Sequence, residues 1–575
     1  MYRSGVAGLW IALVIVKYWW RDFAKNAPRV EIARSLMLQD QIQFEDRSVA
    51  SMPSAWRAAY ERDQQNPLQG NDPLPERRAS RLLAAFILTG LIFVAFPGTL
   101  LGVWNLLAIA GERRTHVNSA WIQAHGQAQL FGWVGTFILG ISLHVLPKFL
   151  NRNIQSIRLG WFAWALWTGG VLWRWLIGIG FSYWRAGIVG SAMLQLAAFF
   201  VAQYLLWFEH NGRDAGKERA TATKPFPGDL VSWLALAGFS AFGIALLLGF
   251  GISVHLALRA AEPVFPATVD RIFLVIALWG FAIPVAWGYS TRFVTIFVGL
   301  RPPVQSAAPW MAVGVGAIVI CALLQRFLLA DVLAGIAAIG AVWVLQVFRA
   351  SVRAPKRIGV YRHYPMFIRL AYGWLLVGAI LGIWADLRPQ LTGLGGASRH
   401  ALTVGFLAML IFCVGPLILP SFLSSRELRS PLLMGLSLWL LAVGCLLRVS
   451  SEAIAYSSTG GLSWKVLPVS GLFELTAVCI FVINLGWTMA QRVPAWFGPS
   501  GINPRMTVYF CVASFPKTKQ LLVDSGLKTV AKVREIPHSL TLEEAAAADH
   551  ADLSVILAAL RAFFAKRQPR RRTLK

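Results

Sequence analysis

The chain reads as an all-α protein: a polytopic transmembrane helix bundle of about twelve spans, followed by a small, soluble, mainly helical C-terminal domain. Three observations predict this. Of 575 residues, 56% are hydrophobic and only 14% charged, whereas in soluble domains roughly a quarter are charged. Long apolar runs recur through most of the chain and stop near Ile502. The charge is lopsided, 54 Lys and Arg against 27 Asp and Glu, as expected for loops that face anionic lipid. These features exclude a disordered chain and nucleic-acid binding as a main theme. The five cysteines, Cys321, Cys413, Cys445, Cys479 and Cys511, form no CxxC pair. They read as small buried hydrophobes rather than a disulfide scaffold, a zinc ribbon or an iron-sulfur site.

A helix crosses the hydrocarbon core with about 20 mostly apolar residues, because each backbone group must be bonded within its own segment. Twelve segments meet that requirement, near 82–110, 119–147, 159–180, 187–208, 229–258, 272–299, 308–327, 329–348, 368–385, 400–423, 431–447 and 467–490. The membrane domain is therefore expected over 82–492. An earlier apolar run, Gly5 to Trp20, is interrupted by Lys17 and followed by no small-residue cleavage site. Residues 1–20 are thus expected to be a membrane anchor, not a signal peptide, and 21–81 a cytoplasmic polar linker. Loops after the even-numbered spans hold 16 Lys and Arg, and the opposite loops hold 10. Basic residues resist translocation, so the linker and the C-terminus are expected in the cytoplasm of a bacterial inner membrane. The soluble domain is expected over 502–567. In it, Thr541-Leu-Glu-Glu544 opens a helix as a capping box, a second helix runs from about Asp552 to Lys566, and 568–575 is a basic tail.

Of nine histidines, two stand out by depth. His125 falls in the first turns of the second span and His400 at the start of the tenth, and both spans enter from the outer side. An ionisable residue in a span is costly and usually lines a cavity, a cofactor or a pathway. Two imidazoles at one level on separate helices suit an iron or haem site. His255, near the outer end of the fifth span, and His116 share that level. His144 lies nineteen residues beyond His125, about 28 Å along a helix, and belongs with His363 to the inner side. His125, His400, His144 and His255 are the metal-ligand candidates. Gly132 lies on the face of His125, where a missing side chain would admit a flat macrocycle; close helix packing is the alternative. Gln127 and Gln129 are candidate hydrogen-bond partners of a polar ligand. Arg174 and Arg448 could pair with haem propionates, although an Arg448–Glu474 ion pair would account for Arg448 alone. Gly132 precedes Leu146-Pro147-Lys148-Phe149 by the interval at which Gly405 precedes Leu419-Pro420-Ser421-Phe422, which hints at a bundle of two duplicated halves.

Two segments, Trp121-Ile-Gln-Ala-His125-Gly-Gln-Ala-Gln-Leu-Phe131-Gly132 and Arg399-His400-Ala-Leu-Thr403-Val-Gly405, resemble signatures of the NnrS membrane proteins. Gly288-Tyr-Ser-Thr-Arg292-Phe293 and Leu370-Ala371-Tyr372-Gly373-Trp374 add to the resemblance, which spans about 80–495. It implies a twelve-helix protein holding haem and copper and associated with nitric oxide and denitrification stress. Where the family commonly has His-Ala-His, this chain has Gln123-Ala-His125, which weakens copper more than haem. His144-Val-Leu-Pro147 resembles a helix-end motif of proteins related to haem-copper oxidases. Residues 502–565, with Met506-Thr-Val508, Phe515-Pro516 and Leu542-Glu-Glu-Ala-Ala546, are similar to a small helical domain found with hybrid-cluster and redox proteins. A redox partner is expected there, without thiol chemistry.

Three readings remain at this point. The first is a haem-containing protein that binds nitric oxide or a related small diatomic. The second is an oxidase or nitric oxide reductase core, which would need grouped histidines, yet the chain has no His-His or His-x-His. The third is a secondary transporter without haem.

Overall fold

Each predicted run becomes a helix, since an apolar segment in lipid has no other way to satisfy its backbone. The structure is a computed structural model describing residues 52–65, 73–111, 118–149, 156–180, 182–208, 229–355, 359–422, 428–456, 461–490, 502–514, 517–533, 536–537 and 539–565. It divides into two units, Arg78–Arg492 and a second one built from Met1–Arg77 with Val493–Lys575. The expected anchor at 1–20, the basic tail at 568–575, and His116, His210 and His538 lie outside the described residues.

In the first unit the helices are α1 (Ala79–Ala110), α2 (Ser119–Phe149), α3 (Ile157–Ile179), α4 (Trp184–Trp207), α5 (Leu230–Arg259), α6 (Ala267–Ser290), α7 (Gln305–Leu323), α8 (Phe327–Leu345), α9 (Tyr364–Leu387), α10 (Gly393–Pro420), α11 (Pro431–Ala455) and α12 (Gly461–Ala490). Among the described residues, eleven are long and apolar enough to cross a membrane, and the chain is a multi-pass membrane protein. The twelfth, α3, has 23 residues but is diluted by Arg158, Arg174 and five tryptophans. Tryptophan is amphipathic, so a hydropathy average undervalues such a helix.

Neighbours pack α3 on α4, α4 on α5, α5 on α7, α7 on α8, α8 on α9, α11 on α12, and α12 back on α1. Small residues let the backbones approach: Gly170 faces Gln195 across α3 and α4, and Gly471 faces Val103 and Leu106 across α12 and α1. Inside this ring stand α2, α6 and α10, and each carries a π-helical stretch: Ala128–Gly135, Ile276–Ala282 and Ala401–Ala408. The fifth residue of every stretch is glycine, namely Gly132, Gly280 and Gly405, and seventeen residues beyond each glycine comes a phenylalanine: Phe149, Phe297 and Phe422. A Cβ on these glycines would strike Phe93, Ala241 and Trp374 respectively, so at each an outer helix presses close. The echo between α2 and α10 therefore has a third member in α6, which escaped notice because its helix end lacks the Leu-Pro pair.

In the second unit, Ser54–Gln65, Val508–Ser514, Thr518–Asp524, Thr529–Lys532, Leu542–Ala548 and Leu553–Ala565 are helical. The capping box forms as expected: the Glu544 amide donates to Thr541 Oγ1 at 3.2 Å, and the Thr541 amide donates to Glu544 Oε2 at 3.0 Å. Ser54–Gln65 falls in the stretch expected to be a plain linker, yet Trp56 and Ala59 are fully buried against Leu540, Leu542 and Phe564. Burial of the Cys511 thiol pushes it up to about 12, so at neutral pH it is a protonated core residue rather than a nucleophile.

Candidate cofactor site at one end of the bundle

The end of the bundle where α2 and α10 begin gathers the unusual polar groups. α2 starts at Ser119 because the Asn118 side chain accepts the Ala120 amide at 2.8 Å. That start places His125 in the second turn. Opposite it, α1 carries Pro97 within a π-helical stretch, Val94–Leu100, where the regular ladder is interrupted. His125 Nδ1 lies 2.9 Å from the Gly98 carbonyl. A carbonyl only accepts, so Nδ1 holds the proton and Nε2 carries the lone pair. No hydrogen bond engages Nε2 among the described residues, and the ring stays half-buried. The ring abuts Gly102, where a Cβ would sit 2.5 Å from its Cε1. Gly102 is thus the glycine that shapes the site. Gly132, expected to admit a macrocycle, instead faces the Phe93 ring, with a Cβ there 2.9 Å from Cγ.

His400 lies seven residues into α10, because the helix begins at Gly393, earlier than hydropathy suggests. Its Nδ1 lies 3.0 Å from the Gly396 carbonyl and 2.8 Å from Glu452 Oε2. Its Nε2 faces Arg448 Nη2 at 3.3 Å. Arg448 pairs with Glu452 one turn along α11, Nε to Oε2 at 3.4 Å, rather than with Glu474 as expected. Glu474 on α12 still lies within electrostatic reach of His400, Arg448 and Glu452, and His125 within that of His400 and Arg448. Arg448 Nε and Glu452 Oε2 have only these ion pairs, and Arg448 Nη1 and Glu474 Oε1 are buried without a hydrogen-bond partner among the described residues. Leaving such groups unsatisfied is expensive, and a polar guest or a water would satisfy them.

The other candidates are placed elsewhere. Arg174 is buried, with its guanidinium 5.3 Å from the centre of the Phe265 ring and Asp270 its electrostatic partner. Gln123 holds the same loop: its amide donates to the Phe265 carbonyl and accepts the Phe265 amide, both at 2.9 Å. Gln127 reaches Gln195 at 3.4 Å and Gln129 reaches Thr99 at 3.0 Å, so both join helices. His255 is exposed on α5 and joins none of these groups. His144 is buried at the opposite end, with Nε2 3.4 Å from Lys148 Nζ, its ring 5.1 Å from that of Phe422 and Nδ1 unpartnered.

Two features escaped sequence reasoning. Glu452 carries a signal, an Arg-x-x-x-Glu spacing that puts opposite charges on one face of a span. The second, Arg271 of α6 with Asp331 of α8 at 3.3 Å and Asp386 of α9, has none, since its members are scattered along the chain. The guanidinium of Arg271 rests 4.1 Å from the centre of the Phe327 ring. Among the described residues no group of three or more His, Cys, Asp or Glu is arranged to hold a metal ion.

No protein-family model matches this chain, and no curated protein does either. Among solved structures it is similar to the cryo-EM structure of a heme-copper terminal oxidase dimer. The TM-score is 0.59 at 11% identity, covering 72% of this chain and 84% of the other. Identity that low establishes a shared fold.

Proposed function

We propose that this protein is a haem-binding membrane protein that binds nitric oxide or a related small diatomic, and that His125 is the iron ligand. The observation that carries the reading is the state of His125: Nδ1 is committed to Gly98, while Nε2 is unengaged among the described residues and the ring lies within electrostatic reach of His400 and Arg448. The residues fit haem unequally. An imidazole oriented through its second nitrogen is the usual metal-ligand arrangement, and Arg448 Nη1, buried without a partner, suits a propionate carboxylate. His400 fits poorly as a second axial ligand, because the Arg448 guanidinium already occupies its Nε2. Haem held by His125 would supply an iron centre able to bind a diatomic. His400 and Arg448, both paired with Glu452, would supply the polar groups nearby. Gln123, committed to Phe265, offers no copper ligand at that position.

The shared oxidase fold favours a redox setting, with the bundle in a bacterial cell membrane. The loop-charge bias favours a cytoplasmic C-terminal domain, where a redox partner would dock. The decisive measurement is an optical spectrum of detergent-purified, full-length protein expressed with ample haem supply. A Soret band that shifts when nitric oxide meets the reduced protein is expected. A colourless protein would sink the reading, and a haem spectrum unresponsive to nitric oxide would restore His400 as the second ligand.

A further inference from the structure

A cavity separate from the histidine cage lies between the three central helices. Its volume is about 90 Å³. α2 contributes Phe137 and Ile138, α6 contributes Ala282 and Ala286, and α10 contributes Leu410 and Val414. Its upper rim, Val134 and Leu407, follows His125 and His400 by nine and seven residues, so it opens about 10 Å deeper along the helices.

The volume would accommodate several waters, but a trapped water also needs two to four polar partners. The side chains lining the cavity offer two hydroxyls. Tyr289 is bonded to Ser142 at 2.6 Å, and Ser290 neighbours the Tyr372 hydroxyl. No lining side chain carries nitrogen or sulfur, so nothing there would ligate a metal. Space of this kind stays dry and takes up apolar molecules. The alanines on α6 open it, and α2, α6 and α10, which share the glycine-to-phenylalanine interval, all contribute to its walls.

We infer that this cavity is a binding site for small apolar gas molecules at the centre of the bundle. The inference goes beyond the haem reading and does not depend on it.

Xenon is the probe. Crystals of the full-length protein pressurised with xenon should show an anomalous peak between α2, α6 and α10. Ala286→Leu should abolish that peak, and Ile138→Ala, which widens the same space, should raise xenon occupancy at least twofold. The two variants act in opposite directions, so misfolding of either leaves the other informative. Intact wild-type crystals without xenon there, or density for ordered water or a lipid chain in its place, would overturn the inference. Neither outcome touches haem content, so the two proposals fail separately.

Discussion

In α2 the histidine stands seven residues before the central glycine of the π-helical stretch, and in α10 it stands five before. The two helices otherwise share their plan: the same stretch, a glycine facing an aromatic ring from the preceding helix, a Leu-Pro pair and a terminal phenylalanine. A shift of two residues turns a side chain by about 200° around a helix. His125 therefore meets α1, with its Gly98 carbonyl and Gly102, while His400 meets α11, with Arg448 and Glu452. One repeated backbone thus presents one imidazole with an unengaged nitrogen and another fully engaged. Register, not the presence of histidine, decides which can be a ligand.

The comparison can be broken most directly at the two imidazoles. His125→Ala should lower haem per protein more than tenfold by pyridine haemochrome assay. His400→Ala should retain most of the haem and alter nitric oxide affinity instead. Equal losses in the two variants would erase the distinction between α2 and α10.

A second test removes the cation that separates their surroundings. Arg448→Leu leaves Glu452 and Glu474 buried without their guanidinium and should destabilise the bundle by about 3–5 kcal/mol, read as a lowered unfolding temperature in detergent. An unchanged midpoint would mean that the cage does not couple α10 to α11.

The shared plan can then be compared at its glycines. A methyl at Gly405 would sit 2.5 Å from Trp374 Cγ, and one at Gly132 would sit 2.9 Å from Phe93 Cγ. Overpacking of this kind costs about 1–3 kcal/mol, and Gly405→Ala should be the worse of the two. Haem content should stay unchanged in both.

The smallest effect is expected at Gln123. Gln123→Ala removes two hydrogen bonds to Phe265, at about 0.5–1.5 kcal/mol each. Faster proteolysis of the loop around Phe265 is expected, with no change in metal content. Loss of haem would show that this position acts on the cofactor after all.

Much of the bundle was legible in the chain. The helix predicted at 119–147 is observed at Ser119–Phe149, because twenty or more apolar residues in lipid have one stable backbone form. The capping box at Thr541 was legible for a similar reason, both partners being local. The start of α10 was not, since Gly393-Leu-Gly-Gly-Ala-Ser-Arg399 is too polar and glycine-rich to register as a span. Trp56 was missed because its partners lie some 480 residues away, as in the Ser539–Ala59 hydrogen bond, with a separation of 480. Arg174 and Arg448 were both expected to pair with haem propionates, yet of the two only Arg448 has an imidazole as neighbour among the described residues.

The sequence by itself determined what must be helical and buried in lipid, and which few ionisable side chains stand out there, because both follow from local composition and the cost of desolvation. Tertiary structure alone decided which helix faces meet. Contacts among residues hundreds of positions apart depend on helix rotation and register, and those are set by packing around the glycines and the π-helical stretches. That is why His125, His400 and Gly132 could all be singled out in advance, while Gly102, Glu452 and the apolar cavity emerged only once α1, α2, α6, α10 and α11 were placed side by side.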